Sequence, residues 1–238
     1  MTDLPILFSA PMIRALAADR KTQTRRLPTR LRGKGQITEL GPSDTKGYDW
    51  RFRDRRHRWQ EVSHARLLEL LPWQVGDRLW VREAWRTELR NDEIKPSDLK
   101  IGAPVYREAA DVEAVPECAG RLRAGFHMPR WASRFTLIVE EARVERLQDI
   151  SEGDVKAEGL VCLSKDQGRV WKWGLPESDG LPGAGGWQWQ MWRVGHKPAY
   201  AQLWDQINGP DAWAANPIVS ATTFRAIKVN IDSPEARP

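Results

Sequence analysis

The run Pro11-Met12-Ile13-Arg14-Ala15-Leu16-Ala17-Ala18-Asp19-Arg20-Lys21-Thr22-Gln23-Thr24-Arg25-Arg26-Leu27 changes its period halfway along. As far as Asp19, the apolar Met12, Ala15 and Leu16 recur at helical spacing, and Ser9 ahead of Pro11 supplies an N-cap followed by proline in the first turn. Arg20 and Lys21 then stand where cations suit the negative end of a helix dipole. From Thr22 to Leu27 the chain reads as an extended segment. The spacing predicts a helix over 11–19 that hands over to a strand at a corner bearing Lys21 and Thr24, a place where side chains converge on a pocket.

Outward from this corner, short strand signals alternate with shorter helical ones. Ile6-Leu7-Phe8 is an apolar run, and Val75-Gly76-Asp77 makes a turn into a strand over 78–83. A strand is expected near 104–108. Residues 132–146 are the strongest strand region, with Phe135, Leu137 and Val139 on one face and Thr136 and Ile138 on the other. Ser151, Glu152 and Asp154 start a short helix that carries Glu158 in its last turn and stops at Gly159. Tyr200, Leu203, Trp204 and Ile207 restore helical spacing over 198–207, and 218–229 reads as a last strand. Residues 28–70 are basic and mostly aperiodic, apart from an apolar piece at 67–71 and a hairpin expected at 48–59, and residues 161–197 are rich in glycine and tryptophan. Both read as long insertions. The expected fold class is α+β, a small β-barrel flanked by short helices, in one domain over 1–230 with a frayed tail at 231–238.

Composition narrows the function. Lysine and arginine outnumber aspartate and glutamate 37 to 32, a net charge of +5, and the sequence pI is near 9.4. The distribution says more than the total. Arg20, Lys21, Arg25, Arg26, Arg30, Arg32 and Lys34 follow one another without an acid, and Arg51, Arg53, Arg55, Arg56 and Arg58 are interrupted only by Asp54. Arginine-rich runs suit phosphate, because the planar guanidinium makes paired hydrogen bonds. The 13 tryptophans divide between core and, beside Arg82, Arg130 and Gly186, candidate faces for base stacking. Cys118 and Cys162 and the four histidines show no zinc or disulfide spacing, so no metal and no cofactor is expected. There is no GxGxxG, GxxxxGK[ST] or GxSxG pattern. The opening residues lack the basic segment and continuous apolar run of a signal peptide, and no stretch reaches bilayer length, so a cytoplasmic protein without membrane contact is expected.

For chemistry, the residues themselves offer Lys21 and Thr24, three apart. A lysine crowded by Arg20, Arg25 and Arg26 loses its proton more readily, since like charge disfavours the charged form. On composition alone the pair reads as a solvated lysine and a strand threonine. The run Ala15 to Arg26, however, resembles the opening signature of ASCH-domain proteins of the PUA-like superfamily, with Asp19 where glycine is usual. Val75 to Trp85 is similar to that family's barrel strand and its Gly-Asp turn. His127 to Arg134, Leu147 to Glu152 and Leu203 to Pro210 resemble a branch common in bacteriophages and prophages, which would place the protein in a bacterial host's cytoplasm.

The resemblance implies a PUA-like barrel that holds a base or modified nucleoside. In small bacterial ASCH amidohydrolases that cleave N4-acetylcytidine, a lysine, a threonine and a glutamate do the work, and these fall on Lys21, Thr24 and Glu158. Lys21 would activate Thr24 or a water, and Glu158 would pass a proton to the leaving amine. Arg20, Arg25, Arg26, Arg82, Arg130, Trp131 and Arg134 are the expected nucleic-acid contacts, with RNA favoured over DNA. Three readings stay open at this point: a nucleic-acid or modified-nucleoside binder, a hydrolase of an N4-acylcytidine-type amide or of RNA, and a phage structural or assembly protein without catalysis.

Overall fold

Strand β1 (Asp3–Leu7) leads through Ser9 into helix α1 (Ala10–Ala17), which has proline in its first turn and buries Met12, Ile13, Ala15 and Leu16. In this computed structural model, which describes residues 2–107, 116–165, 167–177, 179–183 and 185–237, the helix ends at a tight corner. Asp19 takes the left-handed conformation, φ 57°, and the Arg20 amide donates back to the Ala15 carbonyl at 2.9 Å. Glycine adopts that conformation most readily, and aspartate is among the few other residues that tolerate it. Strand β2 (Gln23–Arg26) follows directly.

The main sheet is completed by β7 (Arg78–Arg82), β10 (Thr136–Arg146) and β13 (Ile218–Ile227), in the order β1-β7-β10-β13-β2. β1 and β7 run parallel and the other pairs antiparallel. The expectation of α+β holds, but the sheet is not a closed barrel: β1 and β2 are its two edges and do not pair. It is nevertheless strongly rolled. Laid flat, four strand spacings would put the edges about 19 Å apart, yet the Arg26 guanidinium at the end of β2 donates to the Leu7 carbonyl at the end of β1 at 2.6 Å. Helix α1 connects these two edges in the chain, so the open seam carries the predicted corner.

The segment read as the first insertion is more regular than its composition suggests. Its strands β3 (Arg30–Leu31), β4 (Gly35–Pro42), β5 (Trp50–Asp54) and β6 (Trp59–Val62) form a second, four-stranded antiparallel sheet, followed by α2 (His64–Leu70). The hairpin expected at 48–59 is part of it. Leu31, Phe52, Val62, Leu67, Leu70 and Leu71 pack there with Val144 and Ile218 from the far ends of β10 and β13. Beyond β7 lie a two-residue pair, β8 (Trp85–Arg86) with β9 (Tyr106–Arg107), so the strand expected at 104–108 shrinks to two residues, and Glu108 lies outside the described residues. β10 begins at Thr136 rather than Ala132, because residues 130–132 make a 3-10 turn, and a bulge at Glu140 joins into one strand the stretches that alternate separately in sequence.

Helix α3 (Glu152–Ala157) carries the full capping box between Ser151 and Asp154. The hairpin β11 (Val161–Lys165) with β12 (Val170–Gly174) and helix α4 (His196–Asn208) come next. Trp173, Leu175, Trp187 and Trp192 from the second insertion are buried in the main core with Tyr200, Leu203 and Trp204 of α4. The chain end is docked rather than frayed: Ile231 and Ala236 are buried, Arg78 donates to the Ile231 carbonyl, and Arg130 pairs with Asp232, while Pro238 lies outside the described residues. Among the described residues no helix is long and apolar enough to cross a membrane.

Gly159 turns the chain away from α3 at φ +105°, and a Cβ placed there would lie 2.8 Å from the Ala15 Cβ and 3.6 Å from the Lys21 Cβ. Gly159→Ala is therefore expected to destabilise the protein by about 1–3 kcal/mol, from backbone strain and the overlap together. Chemical denaturation checks this, and an unchanged midpoint would show that α1 and α3 do not approach so closely.

Candidate functional site

A cavity of about 310 Å³ opens at the seam, between the end of β1, the corner after α1, β2 and helix α4. Phe8, Leu203 and Trp204 make its walls apolar, while Lys21, Thr24, Arg26, Glu158 and Tyr200 bring polar atoms to it. A mostly apolar hollow with a few convergent polar groups is the usual form of a small-molecule site.

Lys21 and Glu158 meet because two chain ends are tied together. The Thr22 amide donates to the Ala157 carbonyl at 2.8 Å, which fastens the corner to the last turn of α3. Lys21 is 1% exposed and Glu158 4%. The Lys21 ammonium donates to Glu158 Oε2 at 2.7 Å, to the Gln23 carbonyl at 2.8 Å and to the Glu158 carbonyl at 3.1 Å. All three of its donors are thus spent on the protein. Burial pushes the ammonium below its usual value, with the Glu158 charge pulling the other way. On the second carboxylate oxygen of Glu158, the Tyr200 hydroxyl donates at 3.1 Å and Arg25 at 3.4 Å. Burial, reinforced by the Glu158 charge, holds Tyr200 well above the usual phenol value, so it stays a donor.

Behind this pair stands a second layer of charge. Arg25, fully buried at its side chain, contacts Glu145 at 2.6 Å and Asp154 at 3.1 Å as well as Glu158. Arg143 closes the network from the other side onto Glu145 at 2.9 Å and onto Asp154. Burial pushes the Asp154 carboxyl up, but hydrogen bonds from Ser151 and the charges of Arg25 and Arg143 outweigh it and hold the group well below the usual carboxylate range.

The structure brings Lys21 and Glu158 together and sets Thr24 on the same cavity wall, without a hydrogen bond from Lys21 to Thr24. Of the expected nucleic-acid contacts, Arg25 and Arg26 reach the cavity and the rest lie elsewhere. Arg26 makes no ion pair among the described residues and lies over the Phe8 ring at 5.6 Å. Arg20 donates to the Glu177 carbonyl at 2.9 Å, and Arg82 stacks on Trp80 at 4.3 Å. Arg130 is held by Asp3 and Asp232, each at 2.6 Å, and Arg134 by Glu83 at 2.8 Å. Trp131 is half-buried against the Trp85, Leu99 and Met128 cluster. Sequence reasoning missed Phe8, Glu145, Tyr200 and Trp204 as site residues. The helical spacing at 198–207 identified Tyr200 and Trp204 as core, and nothing in that spacing says which core residues border a hollow.

Among the described residues no group of histidine, cysteine, aspartate and glutamate could hold a metal ion. Comparison with protein-family models, with curated proteins and with solved structures finds no match to this chain.

Proposed function

We propose that the cavity binds a modified pyrimidine nucleoside and hydrolyses its exocyclic amide, as in an N4-acylcytidine, in a protein of ASCH type, PUA-like in architecture, from the phage and prophage branch. The observation that carries this is the buried Lys21–Glu158 pair on the wall of an apolar cavity. An ion pair out of water contributes little net stability compared with apolar packing of the same volume, whereas such a pair at a pocket is suited to proton transfer. Phe8, Tyr200 and Trp204 offer ring faces and edges to a planar base, and the Trp204 indole N–H is buried without a partner among the described residues.

The pair closes a proton cycle. Transfer of one proton across the 2.7 Å contact gives a neutral Lys21 amine and a Glu158 carboxylic acid, a step favoured by the lowered basicity of Lys21. The amine takes a proton from water as its oxygen attacks the acyl carbon. Glu158 gives its proton to the departing exocyclic nitrogen as the C–N bond breaks. The products are a carboxylic acid and the free amine, and the ion pair is restored. Arg26, on the cavity wall and with no ion pair among the described residues, would stabilise the charge that develops on the acyl oxygen. Thr24, on the same wall, positions the water.

The test is the release of acetate and cytidine from N4-acetylcytidine by the full chain. Turnover is expected, with Arg26→Gln lowering it by about 10²–10³ through loss of an oxyanion partner while folding is kept. Absence of turnover would overturn the hydrolase, and absence of nucleoside binding as well would overturn the whole reading of the cavity.

A further inference from the structure

We infer that the four-stranded insertion sheet grips the backbone of a single-stranded nucleic acid, so that the pocket reaches a base within a strand as well as a free nucleoside. The inference rests on the pocket reading only for what the cavity holds. The grip itself stands on the insertion.

Most candidate phosphate ligands are already committed: Arg130 to two aspartates, Arg134 to Glu83, Arg25 to three carboxylates. Within the insertion Arg32, Arg51 and Arg53 are likewise paired, with Asp77, Asp44 and Glu39, but the turn between β5 and β6 differs. There a hollow of about 400 Å³ is bordered by Arg30, Lys34, Arg55, Arg56 and Arg58 against the single carboxylate of Asp54. Asp54 is consumed locally. It accepts the Arg56 and Arg58 amides at 2.8 and 3.1 Å and pairs with the Arg58 guanidinium at 2.9 Å. Arg30, Lys34, Arg55 and Arg56 are exposed, and among the described residues none of them makes an ion pair. Like charges gathered without counter-charge lower stability unless a polyanion meets them, and a turn that uses its only acid to organise itself leaves the remaining cations free for phosphate.

A second observation points to unpaired bases. On the same sheet Trp59 is 47% exposed, with the Arg51 and Arg53 guanidinium groups stacked on its ring at 5.1 and 5.9 Å. An exposed indole beside cations is a stacking platform for bases, and a duplex hides base faces. The cavity is also only a short run of chain away from the basic hollow. Leu27 borders both the cavity and a groove that runs along Thr29 and Ile37, and their neighbours Arg30 and Gln36 border the basic hollow. From Leu27 to Arg30 the chain spans at most about 11 Å, so a strand with one base in the cavity lays its next phosphates on the insertion.

The experiment uses the full chain and fluorescein-labelled single-stranded oligouridylate, followed by anisotropy between about 50 and about 200 mM salt. Arg55→Ser/Arg56→Ser is expected to weaken binding several-fold and to flatten the plot of log affinity against log salt by about 0.7 for each phosphate that is no longer neutralised. Trp59→Ala is expected to weaken binding at all salt concentrations, and both variants should turn over free N4-acetylcytidine like the parent. Parental affinity and slope in the double variant would overturn the inference, as would equal binding of a duplex RNA with no effect of Trp59→Ala. Loss of strand binding in the variants, with no turnover in any protein, would leave the grip standing and sink the hydrolase.

Discussion

Glu158→Gln is expected to abolish turnover and to cost about 3–5 kcal/mol of folding stability, because it leaves the Lys21 ammonium buried without its counter-charge. Lys21 is 1% exposed and cannot turn out to water without opening the corner. The converse change, Lys21→Met, is expected to cost less, since Glu158 keeps Tyr200 at 3.1 Å and Arg25 at 3.4 Å. Combining the two should recover much of the stability lost by Glu158→Gln alone, since neither charge is then stranded. None of the three should regain activity, a loss of about 10²–10⁴ for a missing acid or base. Urea denaturation with a parallel turnover assay gives all the values. A Glu158→Gln protein as stable as the parent would show that the pair is not buried.

The second large effect is expected at Arg25. Its guanidinium stands between Glu145, Asp154 and Glu158, and Arg25→Gln leaves that face of the three carboxylates without its cation. A loss of about 3–5 kcal/mol at neutral pH follows by the same reasoning. The pH dependence separates this cause from simple loss of packing. In the parent, Asp154 has a folded-state pKa below its ordinary 3.8, so its contribution is present above that value and is lost as the pH falls through the folded value, where the unfolded chain binds more protons. In Arg25→Gln the depression shrinks and the slope below about pH 4 becomes shallower. The deficit relative to the parent should narrow as the pH falls. A deficit constant with pH would mean that Arg25 acts through its bulk alone.

The parts that were legible in the sequence are those settled by neighbours in the chain. Helix α1, its proline, the turn at Asp19 and β2 depend on contacts within about ten residues, and the corner came out where the period changes. Ser151 and Asp154 announce α3, and Gly159 its end. What the spacing could not show is how far the sheet rolls: that depends on pairings such as β10 with β13, some eighty residues apart, and the absence of a β1–β2 ladder is visible only in the assembled sheet. The arginines misled for a related reason. Arg130 and Arg134 look free in sequence, but their acids, Asp3, Asp232 and Glu83, arrive from distant strands and loops. Composition shows that a residue carries charge, whereas only the fold shows whether that charge is already answered.

The shared packing of the first insertion sets a limit on how this protein can be shortened. Val144 and Ile218 belong to the central sheet, yet they pack in the same cluster as Phe52, Leu67 and Leu70 of the insertion. Excising residues 28–70 would strip a greasy strip of β10 and β13 bare and invite association through it. Expressed by itself, the excised segment would lack part of its own interior. A reduced version for laboratory use is better obtained by tightening the Ser43–Tyr48 turn, whose residues are exposed or half-buried.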